Sequence, residues 1–391
     1  GALTVTDVAT GNNNAIALTT SSGDITGLAT VNAGSGDVTL NSAGAIADDG
    51  STGTVVTGGV LTADAAGAIT IDSTVTSADI STSAAGAVDL DETNAITLTD
   101  LDTTDGTITV DAGGALTVTD VATGNNNAIA LTTSSGDITG LATVNAGSGD
   151  VTLNSAGAIA DDGSTGTVVT GGVLTADAAG AITIDSTVAS ADISTSAAGA
   201  VDLDETDGIT LTDLDTTDGA ITVDAGGLIT ATDVVAGGST GDSVTLSTTT
   251  GGAVATLVTG ADAVSITADA GDVTVGALTA TAGTLGVTAT TGSINDAADD
   301  NTGDFTAGGL ITLTAQDEIG VLGSGSDTDL EFAAGSSVNV STTGTGAIDL
   351  DGLGALTLSD VDTVNGAITV TSAGALTVTD VATGNNNAIA L

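Results

Sequence analysis

The chain has 391 residues, with 50 Asp and Glu against no Lys, Arg or His, and it is 41% hydrophobic with only two aromatic side chains, Phe305 and Phe332. With Cys also missing, a His base, a Cys nucleophile, a Lys Schiff base and an Arg clamp are all excluded. So is nucleic-acid binding, which needs Lys and Arg to displace counterions.

From the first residues the apolar side chains alternate. Leu3 and Val5 turn one way and Thr4 and Thr6 the other, the period of a half-buried strand. Gly11-Asn12-Asn13-Asn14 then reads as a turn that needs positive φ. Strands follow at Ile16, Ile25, Val38 and Ile46, with a turn at Asn32-Ala33-Gly34-Ser35-Gly36. Strand starts at Leu61, Ile69, Val88, Ile96, Ile108 and Leu116 continue the pattern, each pair opening about 20–23 residues after the last. The interval from Leu61 to Val88 is longer and carries an additional piece at Ile80, and the interval from Ile311 to Ile348 is longer still and holds Glu331 and Phe332. In both, local bulging and little else is expected.

A coarser period overlies this one. Residues 1–113 recur as 114–226 with four changes: Thr76 becomes Ala189, Asn94 becomes Asp207, Ala95 becomes Gly208 and Thr107 becomes Ala220. Residues 227–373 are a diverged version, and 374–391 restart the repeat with the same eighteen residues that stand at 1–18. The expected fold is all-β, a parallel β-helix or β-solenoid of about sixteen rungs of 20–23 residues. Residues 1–391 are expected to form one solenoid segment of a longer repetitive protein. Val, Ile, Leu and Ala fill so narrow a tube without large side chains, and Thr, Val, Gly and Asp are poor helix formers. No run of about 18 apolar residues offers a membrane span.

Stacking the rungs places acids above one another. Asp91 falls beneath Asp111 and Asp100 beneath Asp120. The pairs recur as Asp204 with Asp224, Asp213 with Asp233 and, for the second pair, Asp360 with Asp380. Carboxylates about 4.8 Å apart repel by roughly 1 kcal/mol in water and 3–4 at an effective dielectric of 20. A hard cation removes that repulsion, so these ten residues are candidate Ca²⁺ ligands, with no cofactor otherwise required. Solvated aspartates screened by salt are the plain alternative. A rod of sixteen rungs carries roughly 0.65 charge per Å, close to duplex DNA, and must condense counterions.

The segments GDVTLNSAGAI (36–46), GAVDLDETNAITLTD (86–100) and DGTITVDAGGALTVTD (105–120) resemble the β-helix repeats of filamentous haemagglutinin-type bacterial exoproteins. The resemblance implies right-handed coiling, export to the bacterial cell surface, and a role in adhesion, aggregation or matrix. The expected function is therefore a structural or adhesive segment of an extracellular fibre or adhesin stalk, and not an enzyme. The main rival is a self-assembling filament or sheath subunit without receptor binding. Expected partners are other copies, end to end or side by side, and surface or matrix polysaccharide held through divalent cations. Two remote readings remain. Thr-x-Thr pairs such as Thr97/Thr99 suggest ice binding, and the Asp48/Asp49 and Asp161/Asp162 pairs a carbohydrate-active β-helix. Recurrence in each copy marks those Asp pairs as surface turns.

Overall fold

A computed structural model describes residues 1–239, 241–297, 302–320 and 329–391. Among them are 44 strands and no helix, and each strand pairing is parallel. The strands stack as a β-solenoid of about 18 turns, close to the sixteen expected. The contacts divide the chain into two units, residues Gly1–Ala189 and Ser190–Leu391.

In the first unit the period-two pattern does what it predicts. Along strand Val88–Glu92, Val88, Leu90 and Glu92 point in while Asp89 and Asp91 point out. Parallel pairing carries each inward residue onto another, so Ile69, Val88, Ile108 and Ile129 form one continuous apolar column. A column of this kind removes branched aliphatics from water at about 25 cal/mol per Å² without needing a wide core.

The 113-residue repeat does not close on a whole number of turns. One ladder runs Leu3, Ile25, Ile46, Ile69, Val88, Ile108 and then Ile129. The other runs Ile16, Val38, Leu61, Ala78, Leu98 and Val118. Ile129 is the repeat of Ile16, yet it stands on the ladder of Leu3. Leu116, the repeat of Leu3, pairs with Ile96 on the ladder of Ile16. Five steps separate Leu3 from Ile108, and the extra half-turn follows, so each copy presents on one face what the preceding copy presents on the other.

The half-turn enters where only bulging was expected. Ser77–Ala85 is a full wall of the coil, not an insertion: Ala78 and Ile80 are wholly buried and pair with Leu61 and Ala63 on one side, Leu98 and Leu101 on the other. Ile80 thus takes a core position that alignment of Leu61 with Val88 had left vacant.

Turns are built from Asn and Gly as their chemistry allows. Asn12 and Asn13 adopt φ of 61° and 58°, and Asn125 and Asn126 repeat this at 54° and 60°. The Asn13 side chain then accepts from Ser35 N of the next turn at 3.2 Å, tying one corner to its neighbour. Gly106 sits at another corner because any side chain there would run into the Gly86 backbone of the adjacent turn.

In the second unit the same ladders recur. Ile221, Val244, Val264, Leu285, Ile311 and Val338 stack in order, and Ile229 continues through Ala253, Val273 and Ile294. Phe305 and Phe332 pair across adjacent turns, with ring centroids 5.1 Å apart and planes 19° from parallel. Both are fully buried, so the long interval around Glu331 and Phe332 contributes core and is no mere bulge. Residues 321–328 of that interval lie outside the described residues.

Candidate functional site: the carboxylate ladders

Every acid pair read from the spacing is brought together. Asp91 pairs with Asp111 and Asp204 with Asp224 in direct register. Asp100 and Asp120 fall between the register pairs Leu98–Val118 and Leu101–Val121, and Leu101 N donates to Asp120 O at 3.0 Å. Asp213 and Asp233 repeat that geometry, as do Asp360 and Asp380, with Val361 N donating to Asp380 O at 3.1 Å.

The ladders are longer than the spacing suggests. Asp72 pairs with Asp91, so that column reads Asp72, Asp91, Asp111 before Thr132 ends it. Asp79 pairs with Asp100, and Asp192 with Asp213, adding a third rung to each of those columns. Asp79 and Asp192 stand at the bulges of the half-turn, and Asp72 lies on the strand before it, which pairs with Val88–Glu92 and not with the strand at Ile96, so simple alignment of rungs passes over all three. The alternation around Ala78-Asp79-Ile80, with Asp79 between two apolar neighbours, is the signal that marks it.

Crowding alters the chemistry of these groups. Burial raises the pKa of Asp72 above the ordinary carboxylate value, and Asp48, Asp91 and Asp89 raise it further. Asp89 is raised by burial and then by Asp91, Asp111 and Asp48. Asp102 and Asp120 are raised by burial and then by Asp100. In the second unit Asp215 is raised by burial, then by Asp213, Asp233 and Asp192, and Asp362 by burial, then by Asp360 and Asp380. Asp233 Oδ1 is buried without a hydrogen-bond partner.

Asp48, Asp72 and Asp91 share an open cleft of about 400 Å³ with the 50–54 loop and Thr70. Asp48 Oδ1 accepts from Gly50 N at 2.9 Å and Asp49 Oδ1 from Ser51 N at 3.0 Å, so this Asp pair builds a turn. Asp161 and Asp162 do the same with Gly163 and Ser164. The Thr-x-Thr ranks are interrupted: Thr99 is the extra residue of a bulge, and its hydroxyl turns to Ala78 O at 2.7 Å.

Glu92 is an acid of another kind, placed on the inward phase of Val88–Glu92. Its carboxylate accepts from Ser73 Oγ at 2.7 Å, Val75 N at 2.9 Å and Asn94 N at 3.0 Å. It satisfies backbone donors at a buried corner, a role its in-phase position signals from sequence.

The arrangement offers rows of paired oxygens at the strand spacing, without a His or Cys ligand and without a basic side chain to neutralise them. No protein-family model, curated protein or solved structure matches the chain.

Proposed function

We propose that the chain is a structural segment of an extracellular bacterial fibre or adhesin stalk, working through length, stiffness and an anionic surface. The repeat carries this reading: a 113-residue unit of five and a half turns continues both apolar ladders into the next copy without a break. Copies can therefore be added without a new kind of interface. The second support is charge, 50 acids over about 18 turns, or roughly three per turn. Antibodies against residues 1–113 are expected to decorate threads on intact producing cells in electron micrographs. Labelling that appears only after lysis would sink the proposal, whereas labelled threads detached from cells would favour the filament rival.

The ladders give the surface its partner chemistry. Divalent cations, Ca²⁺ foremost, bridge Asp91 with Asp111, Asp100 with Asp120 and their counterparts, and so link copies side by side or to acidic polysaccharide. Calcium is expected to raise the melting temperature beyond NaCl of matched ionic strength, and the Asp91→Asn/Asp111→Asn double variant to lose part of the gain. Equal rises in the two salts would leave the aspartates as ordinary screened charges.

A further inference from the structure

We infer that Asp304 and Glu331 hold one shared proton, and that its loss opens the turn they close, making this corner of the second unit a pH-dependent latch. Phe305 and Phe332 lie in register, so the residues before them, Asp304 and Glu331, stand side by side on adjacent turns. Asp304 is 4% exposed and Glu331 is 1% exposed. Glu331 N donates to Asp304 Oδ2 at 2.9 Å, Asp304 N donates to Glu331 O at 3.0 Å, and Leu278 N donates to Asp304 O at 2.7 Å.

Two carboxyls buried with oxygens within 4.8 Å of each other cannot both ionise unless something positive faces them. Nothing positive does. Strand Ile294–Asp296 contributes Asp296, strand Val273–Ala280 has no titratable side chain, and Asp329 precedes strand Leu330–Phe332. Strand Ile348–Gly352 brings Asp349 and Asp351, the latter in register with Glu331. Every charge around the pair is negative, and the whole chain has no basic side chain to recruit. A proton shared between the two is the available compensation, and it belongs to the pair, not to one residue. Burial, and next the hydrogen bond to Glu331, pushes Asp304 up to about 9.

A cation is the competing occupant, because oxygens of Asp296, Asp304 and Glu331 lie within 4.8 Å of one another. Three carboxyls fall short of the six to eight oxygens that Ca²⁺ takes, and two of the three are too buried for solvent to complete the shell.

The latch carries its own reporter. Phe305 and Phe332 are the only aromatic residues of the chain and stack directly beside the acid pair, so near-ultraviolet circular dichroism at 250–270 nm reports this turn alone. Titrating the full chain from pH 5 to 10.5 is expected to abolish that signal with a midpoint near 9, while the far-ultraviolet strand spectrum persists. Asp304→Asn, a neutral side chain that keeps the acceptor oxygen, is expected to hold the signal flat across the range. Chymotryptic cleavage after Phe332 of the unaltered chain, normalised to the enzyme's own pH profile, should rise at least tenfold between pH 7 and 9.5. A flat signal in the unaltered chain, an unchanged midpoint in Asp304→Asn, or cleavage independent of pH would each overturn the latch. A midpoint displaced by millimolar Ca²⁺ would replace the proton with a cation.

Discussion

Acidifying the solution from pH 8 to pH 5 is expected to raise the melting temperature of this chain, by about 10 °C at low salt. The direction follows from the acids whose pKa the fold raises: Asp72, Asp79, Asp89, Asp102, Asp120, Asp215 and Asp362, with Asp349 at about 6 and Asp304 at about 9. Each binds a proton more tightly folded than unfolded. Its contribution is therefore complete below the ordinary carboxylate value of 3.8 and is lost as pH climbs through its folded value. Asp49 and Asp162 work the other way, their hydrogen bonds to Ser51 and Ser164 holding them low, but both are fully exposed. Neutral and alkaline solutions are thus where the fold is most strained by its own charge. Thermal melts at constant ionic strength give the answer directly, and a melting temperature that stays level or drops toward pH 5 refutes the argument. Adding 0.5 M NaCl should shrink the part that comes from neighbouring charges and leave the part that comes from burial.

Glu92→Ala is expected to cost about 3 kcal/mol. The carboxylate is 3% exposed and receives Ser73 Oγ, Val75 N and Asn94 N. Alanine leaves two backbone donors at the corner without an acceptor and opens a hole between Ser73 and Ala112, its register neighbours. Glu92→Gln keeps the shape and one acceptor oxygen and should cost about half as much. Because a solenoid is held together turn by turn, the damage should be local. Amide exchange should accelerate at Val75 and Asn94 while Ile16 and Leu18 stay protected. A loss under about 0.5 kcal/mol would show that solvent satisfies those donors instead.

The coil and its acid pairs could be read from residues such as Val88-Asp89-Leu90-Asp91 because period-two alternation and parallel stacking both act locally. Aligning like residues in successive turns was enough to pair Asp91 with Asp111. It failed at Ser77–Ala85, where Ala78 is a small inward residue and gives little hydrophobic signal, so the strand's role as a full wall was hidden. The third acids Asp72, Asp79 and Asp192 went with it. Asp304 and Glu331 were invisible for a different reason. Their position beside the two phenylalanines depends on turns of unequal length, and burial of an acid is set by what covers it, which no spacing rule encodes.

The half-turn remainder also bears on how such a gene can change. Nearly identical 113-residue units invite unequal recombination, and each unit gained or lost alters the length by a fixed step of about 26 Å. The same event shifts the following copy by half a turn, as Ile129 stands on the ladder of Leu3 and Leu116 on that of Ile16, so successive copies show a given strand on opposite faces of the coil. A substitution fixed in one unit and spread to the next by gene conversion is likewise displayed on both sides of the molecule, which makes the surface two-sided by inheritance.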